Sequence, residues 1–476
     1  MAGSVSASPT FALQPSAEQV ALSTNYITDF DFTNQYLPDT YEKEFERYGN
    51  RTIASFLRMV GAEMPSNSDL IKWAEQGRLH TKYTNVTLVG ANAGDTATAT
   101  VNDTLVPGSG GIAVRKGQTV MFTDNTAASN LSNKAIITDV DTANGTFDVA
   151  FYEAAGIAAY AGSVSVFIYG SEFKKGSDAM EGSLEADDVI FSNSPIILKD
   201  KYAVNGSDMA QIGWVEIQTE DGATGYLWYL KSQHETRLRF DDYIETSMIE
   251  AVPAVAGSGA ANAALNPNYG NKGSEGIFYV VEERGNIWSG GNPSTLAEFD
   301  SIIQRLDNQG AIEENVIFVN REFGFDVDDM LAALNGFNAG GASNAASFGL
   351  FDNDEEMALN LGFQGFRRGY DFYKSDWKYL NDPTMRGNIV GGAVNGLLVP
   401  AGSTTVYDQI LGKNAKRPYL HVRYRASQSE DRRYKSWITG SAGGAMTSGK
   451  DVMEVHFLSE RAVCTLGANN FFIFKN

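Results

Sequence analysis

The chain has 476 residues, enough for roughly two to four domains and a sizeable buried core. Its formal charge is -21 with a pI of about 4.6, which argues against a protein whose whole surface grips phosphate. A single cysteine, Cys464, excludes a disulfide framework or a cysteine-based metal cluster, and no stretch stays apolar for the ~18 residues that a membrane-spanning helix needs.

Residues Met1 to Thr24 are rich in Ser, Ala and Pro and show no period. Alone they cannot bury enough apolar surface to order themselves. They lack the basic and apolar regions of a secretory signal. Asp39 to Gly49 reads as a helix with a capping box at Asp39 and Glu42, and Arg51 to Val60 and Asp69 to Gln76 as two further short helices, the last capped by Ser68 and ended by Gly77. From Tyr83 to Gly170 charge falls and Thr, Val, Ala, Gly and Asn rise. Val86–Val89, Thr96–Val101, Gln118–Thr123, Lys134–Asp139, Thr146–Phe151 and Ser163–Tyr169 read as short strands of a small barrel or sandwich. Its termini, Tyr83 and Gly170, are expected to lie close together.

Glu172 to Gln218 reads as an extended, two-stranded stretch with strands at Val189–Phe191, Ser194–Asp200 and Gly213–Gln218 and a turn at Asn205-Gly206. Thr224 to Val252 is the longest helical window, with Thr224 as N-cap and Pro253 as the stop. Its apolar stripe, Leu227, Leu230, Leu238, Ile244, Met248 and Val252, also carries His234, Arg237 and Asp241. A helix buried in one ordinary core would not mix ions into its stripe in this way.

Ile277–Val281 then reads as a strand, Leu296–Asn308 as an amphipathic helix opened by Pro293-Ser294 and closed by Gly310, and Val316–Asn320 as a buried strand. Asp326 is expected to cap a helix reaching Asn335, followed by a loop over 338–349. Arg367–Tyr379 is strongly aromatic, and strands are expected at Tyr419–Ala426, Asp451–Leu458 and Phe471–Phe474. Helices and strands segregate without a βαβ rhythm, so the fold class is α+β.

Few residues carry recognisable chemistry. Gly444 to Lys450 fits the G-x-x-x-x-G-K core of a phosphate-cradling loop, but Asp451 stands where a hydroxyl must meet magnesium, and the residues after it alternate like a strand. A glycine-rich turn is the better reading. His80, His234, His421 and His456 fall at no metal-ligand spacing. The carboxylates at Asp326/Asp328/Asp329 and Asp352/Asp354/Glu355/Glu356 lack the pattern of a calcium loop and suit helix N-termini. Arg432, Arg433 and Lys435 form one local basic cluster. No nucleophile, metal site or cofactor site emerges, and a non-catalytic protein is expected.

The order of elements (arm, extended stretch, long helix, α/β block, returning strand) resembles the Hong Kong 97-type fold of tailed-bacteriophage major capsid proteins. Gly61–Tyr83, Asn193–Trp214, Tyr370–Gly387 and Leu466–Lys475 are similar to the major capsid proteins of crAss-like gut phages. The resemblance implies an N-terminal arm and short helices over 1–82 and an inserted small all-β domain over 83–171. It further implies an E-loop over 172–220, a spine helix and P-domain over 221–290, an A-domain over 291–435 and returning P-domain strands over 436–476. It implies a structural subunit that self-assembles as hexamers and pentamers into an icosahedral head enclosing double-stranded DNA, without sequence-specific binding. Expected partners are further copies of the chain, a separate scaffolding protein, a portal, and auxiliary or head-fibre capsid proteins. The expected place is the virion, after assembly in the host bacterial cytoplasm, with no membrane. Candidate intersubunit contacts are Phe11, Leu13, Val20 and Leu22 of the arm, Lys174 and Lys175 of the E-loop, and Arg237 and Asp241 of the spine helix. A minor virion or surface β-rich protein, or a glycan-active enzyme using 84–170 as a carbohydrate-binding module, would share the composition.

Overall fold

The computed structural model describes residue 56 and residues 62–90, 96–102, 111–125, 132–153, 163–185, 188–210, 217–218, 224–225, 228–262, 271–337, 365–408, 413–444 and 446–475. The arm with Phe11, Leu13, Val20 and Leu22, the helix expected over 39–49, that over 51–60 apart from Phe56, the loop over 338–349 and the carboxylates at 352–356 lie outside these residues.

In chain order the strands are β1 (Ala62–Ser66), β2 (Ile71–Gln76), β3 (Lys82–Gly90), β4 (Thr96–Val101), β5 (Gln118–Asp124), β6 (Ser132–Asp141), β7 (Thr146–Phe151) and β8 (Val164–Ser171). Then come β9 (Asp188–Asn193), β10 (Ile196–Asn205), β11 (Ile217–Gln218), β12 (Thr224–Gly225), β13 (Asn286–Trp288), β14 (Glu314–Val319), β15 (Gly365–Arg368) and β16 (Tyr370–Asp376). The last are β17 (Val394–Pro400), β18 (Ser403–Asp408), β19 (Lys413–Pro418), β20 (Leu420–Arg425), β21 (Lys435–Gly440), β22 (Val452–Thr465) and β23 (Phe472–Lys475). The main helices are α1 (Trp228–Glu250), α2 (Ile277–Arg284), α3 (Leu296–Gln309) and α4 (Arg321–Phe337). Among the described residues no helix is long and apolar enough to cross a membrane.

The described residues fall into two compact units. The smaller contains Leu198–Ile244 and Tyr434–Leu458. In it β21 pairs antiparallel with β22, from Lys435 opposite Leu458 to Gly440 opposite Met453. Alternate residues of β22, Met453, Val455 and Phe457, meet Phe240 and Ile244 of α1 and Val204 of β10 in one apolar cluster. Alternation at period two on the strand and a spacing of four on the helix bring the two faces together.

The larger unit contains Ser55–Ile197, Glu245–Arg433 and Ser459–Asn476. Its main sheet runs β13-β23-β17-β14-β16-β15. β17 is buried along its whole length. α3 and α4 cover the sheet through Phe299, Ile302, Leu306, Phe323, Val327 and Met330. α3 opens on a capping box: Thr295 accepts from the Glu298 amide and the Glu298 carboxylate accepts from the Thr295 amide. It closes on Gly310 at φ 67, the left-handed turn that glycine makes without penalty. A second sheet in this unit pairs β1 parallel with β20 and β20 antiparallel with β22.

The six strands expected between 83 and 170 form a closed barrel in the order β3-β4-β7-β6-β5-β8. Val86, Ala99, Val120, Phe122, Ala135, Phe147, Val149 and Val166 fill it. Lys82 of β3 is paired with Phe167 of β8 and Tyr83 with Val166, so the chain enters and leaves on adjacent antiparallel strands, while Gly170 pairs with Thr119 of β5.

Four expectations are corrected. The helix expected over Asp69–Gln76 is strand β2, whose burial alternates residue by residue. Ser68 caps no helix: its hydroxyl donates to the Leu70 carbonyl and closes a turn ahead of β2. The strand expected at Ile277–Val281 is helix α2. Four of its residues are buried at once, which a short apolar run permits in either conformation. Asp326 does not cap α4, which starts more than a turn earlier. The Phe323 amide donates to Asn320 Oδ1 (2.8 Å), and Asp326 accepts from Asn292 instead. Finally, Thr224 lies in β12, opposite Gln218, and caps nothing; the long helix begins at Trp228 and ends at Glu250.

The stripe expected on α1 is partly right. Ile244 and Met248 are buried, but so are Thr236, Phe240, Asp242, Glu245 and Ile249, while His234 and Arg237 are exposed. The ions in the buried face are Asp242 and Glu245. Glu245 accepts a hydrogen bond from the Phe56 amide at 2.7 Å.

Candidate assembly surfaces

β2 and β9 form a two-stranded antiparallel ribbon of their own, with Ile71 opposite Asn193 and Gln76 opposite Asp188. The sequence placed a two-stranded stretch wholly within Glu172–Gln218; the structure instead pairs the first strand of that stretch, β9, with β2. One arm is the segment read as a helix, the other is β9, and the barrel lies between them in the chain. β10 does not belong to the ribbon; it lies beside β22.

The ribbon has two unlike faces. On one, Trp73 and Phe191 are cross-strand partners with ring centres 6.3 Å apart. The Arg284 guanidinium of α2 lies 4.2 Å from the Phe191 ring centre and 2.8 Å from Glu275 Oε2. Burial raises the Glu275 carboxyl, and Arg284 pulls the other way. At the base of the ribbon Asn193 is buried and fully used. It donates to the carbonyls of Val463 (2.7 Å) and Glu275 (2.9 Å) and accepts from the Ser274 hydroxyl (3.0 Å) and the Glu275 amide (2.9 Å). On the other face Ile190, 66% exposed, stands opposite Ala74, with Lys72 and Gln76 beside it. A ribbon of two strands is marginal by itself, so a half-exposed one is stabilised by whatever covers its open face.

Lys174 and Lys175 lie between β8 and β9 in an exposed turn, where the Ser177 amide and hydroxyl both donate to the Lys174 carbonyl and Gly176 takes φ 78. Arg237 and Asp241 are brought together in the smaller unit around the Tyr434 hydroxyl, which both hydrogen-bond. Burial, then the Asp241 charge, push that phenol up to about 12.

The basic cluster at Arg432 and Arg433 is committed to ion pairs within the larger unit. Arg433 and Arg461 both grip Glu63, the latter at 2.9 Å, and Arg461 also donates to the Arg433 carbonyl at 2.7 Å. Arg432 lies 2.6 Å from Glu460, which Arg425 approaches at 3.6 Å while also holding Asp69. These pairs link β1, β20 and β22. Sequence reasoning missed them because the acids lie far away in the chain. A patch so neutralised offers phosphate little net attraction.

The remaining chemistry is structural in placement. The described residues of Gly444–Lys450 lead directly into strand β22, where a phosphate-cradling loop would lead into a helix. Cys464 is buried, and its thiol is pushed up to about 12, chiefly by burial. His421 faces Cys464 across β20 and β22 and donates from Nδ1 to the Pro418 carbonyl at 3.2 Å. Among the described residues no group of three or more His, Cys, Asp and Glu side chains is placed to hold a metal ion.

No protein-family model matches the chain, and no curated protein matches it. Among solved structures the chain is similar to one from Microbacterium phage Oxtober96, at 9% identity over 93% of this chain and 97% of that one, with a TM-score of 0.39. One from Mycobacterium phage Che8 gives 9% identity over 93% and 97%, with a TM-score of 0.37. The capsid of a native GTA particle gives 9% identity over 95% and 98%, with a TM-score of 0.37.

Proposed function

We propose that this chain is a structural shell subunit, a major capsid protein of a crAss-like tailed bacteriophage, that assembles as hexamers and pentamers into a head around double-stranded DNA. The observation that carries the reading is the β2–β9 ribbon: one face is anchored by Trp73, Phe191 and Asn193, and the other presents Ile190 to solvent. A neighbouring copy of the chain is what would cover it. The four stretches that resemble crAss-like capsid proteins support this. They supply β1 and β2, the end of β9 with β10, β16, and β23, which belong to the ribbon and to the two larger open sheets. In this reading the barrel is an insert within the E-loop, Lys174 and Lys175 lie on the intersubunit path, and the arm with Phe11, Leu13, Val20 and Leu22 docks on a neighbour. A scaffolding protein, a portal and auxiliary or head-fibre proteins complete the assembly, which forms in the host cytoplasm and ends in the virion. Its work is self-association through many weak contacts around closed rings.

Negative-stain microscopy and light scattering of the purified chain, across concentration and salt and with a candidate scaffolding protein, test the reading. Rings or closed particles are expected. A monomer at every concentration and salt tried, with the scaffold present, would overturn it. Ile190→Asp is expected to leave the subunit's melting temperature unchanged and to block particle formation. Normal particles from that variant would remove the ribbon from the contact.

A further inference from the structure

The barrel distributes its aromatic residues unevenly. Tyr83, Phe122 and Phe147 are in its core. Tyr152, Phe167, Tyr169 and Phe173 are 37% to 48% exposed, and they gather on or beside one wall, where β6, β5 and β8 run side by side. Met121 of β5 pairs with Lys134 of β6 on one side and with Phe167 of β8 on the other, which sets one outward row. Tyr169 falls at a register shift of β8 against β5, and its half-exposed ring joins this row beside Lys134. The Lys134 ammonium lies 5.7 Å from the centre of the Tyr169 ring. The Tyr152 amide donates to the Lys134 carbonyl at 3.0 Å, and the Tyr152 hydroxyl donates to the Glu172 carboxylate. Phe173 lies directly against Gly117, where a Cβ would come within 2.6 Å of the ring.

We propose that this wall is a binding site for a neutral saccharide, with Tyr152 and Tyr169 as stacking platforms and Lys134 and Glu172 as hydrogen-bonding partners for hydroxyl groups. The C–H face of a pyranose is flat, apolar and slightly electropositive, and suits the electron-rich face of a half-exposed tyrosine. A donor over one face of Tyr169, whose other face is left for stacking, and an acceptor at the hydroxyl edge of Tyr152 match the two roles of a hydroxyl. Lys134 and Glu172 cancel in charge, so the site favours neither phosphate nor a cation. A protein partner fits less well: interface centres are depleted of charge, and a stable interface needs about 800 Å² per side. Here the ions stand among the rings. This site does not depend on how the chain assembles.

The test uses the full-length chain, as subunit and as any particle it forms. Binding of neutral oligosaccharides of glucose, galactose and N-acetylglucosamine is measured by calorimetry and by tyrosine fluorescence, beside a sulfated polysaccharide. Saturable binding of at least one neutral chain, insensitive to salt, is expected. Tyr152→Ala and Tyr169→Ala are each expected to weaken it by about tenfold or more, and Tyr169→Phe by no more than about threefold. Circular dichroism and melting temperature check that the variants fold, and Lys134→Ala, at an exposed position, serves as a further variant. Three outcomes would overturn the proposal: no neutral chain binds, binding survives in the folded double tyrosine variant, or only the sulfated polymer binds and is displaced by salt.

Discussion

His421 carries a pH dependence that its surroundings dictate. It lies in the middle strand of three, with Ala62 on one side and Cys464 on the other. Burial lowers its pKa to about 4, Arg417 and Arg423 push the same way, and the Pro418 carbonyl pulls against them. An unfolded histidine titrates near 6.5. Between about pH 6.5 and about pH 4 the unfolded chain therefore holds a proton that the folded chain does not. Stability falls as pH drops through that window, by about 3 kcal/mol in total for this group, and this contribution levels off below it. Urea unfolding across the window is expected to show that slope in the native chain and to lose that share in His421→Gln; an unchanged slope would assign the acid sensitivity elsewhere. Nothing local in the sequence marks His421 as buried, since Arg417, Arg423 and Arg425 surround it. Asn193 was equally unmarked. It closes an ordinary strand, and its role depends on carbonyls 82 and 270 residues away.

At the scale of elements, legibility followed periodicity. The barrel strands alternate over clean runs and are found where alternation puts them, and α3 keeps both of its predicted ends within about a turn. β2 was misread because Lys72, Glu75 and Gln76 are good helix formers and Ser68 and Asp69 suit an N-cap and first turn. Its pairing with β9 overrides that local preference. β17 was not foreseen at all: a strand buried on both faces has no alternation to detect. The ribbon's anchoring can be tested at Arg284. Arg284→Ala removes both the stacking on Phe191 and the pair to Glu275, leaving a half-buried carboxylate without it. A loss of about 1–3 kcal/mol is expected, with faster amide exchange in β2 and β9 than in the barrel. Arg284→Lys keeps the charge without the planar stack and is expected to fall between. Equal exchange in all three proteins would show that the ribbon is held by Asn193 alone.

For the whole molecule the separable piece is the barrel. Gln76 and Asp188 face each other directly, so residues 77–187 can be replaced by a two-residue Asn-Gly turn in register. The shortened chain is expected to be soluble and to unfold cooperatively, losing the Arg78 contact to the Asn308 carbonyl. Calorimetry and gel filtration would check this, and aggregation across several turn sequences would mean that the barrel supports the rest. The division of the chain into two units was not legible, because each combines segments from distant parts of the sequence. The pairing of Lys82 with Phe167 has a further consequence, one of chain entropy. A floppy insert between two facing strands must be closed into a loop, and the cost rises with the logarithm of its length, by about 0.6 kcal/mol per doubling. An insert that folds with its own ends on neighbouring strands has already closed that loop. To the ribbon, the barrel then counts as a turn about as long as its two connecting segments, and its size is thermodynamically almost invisible.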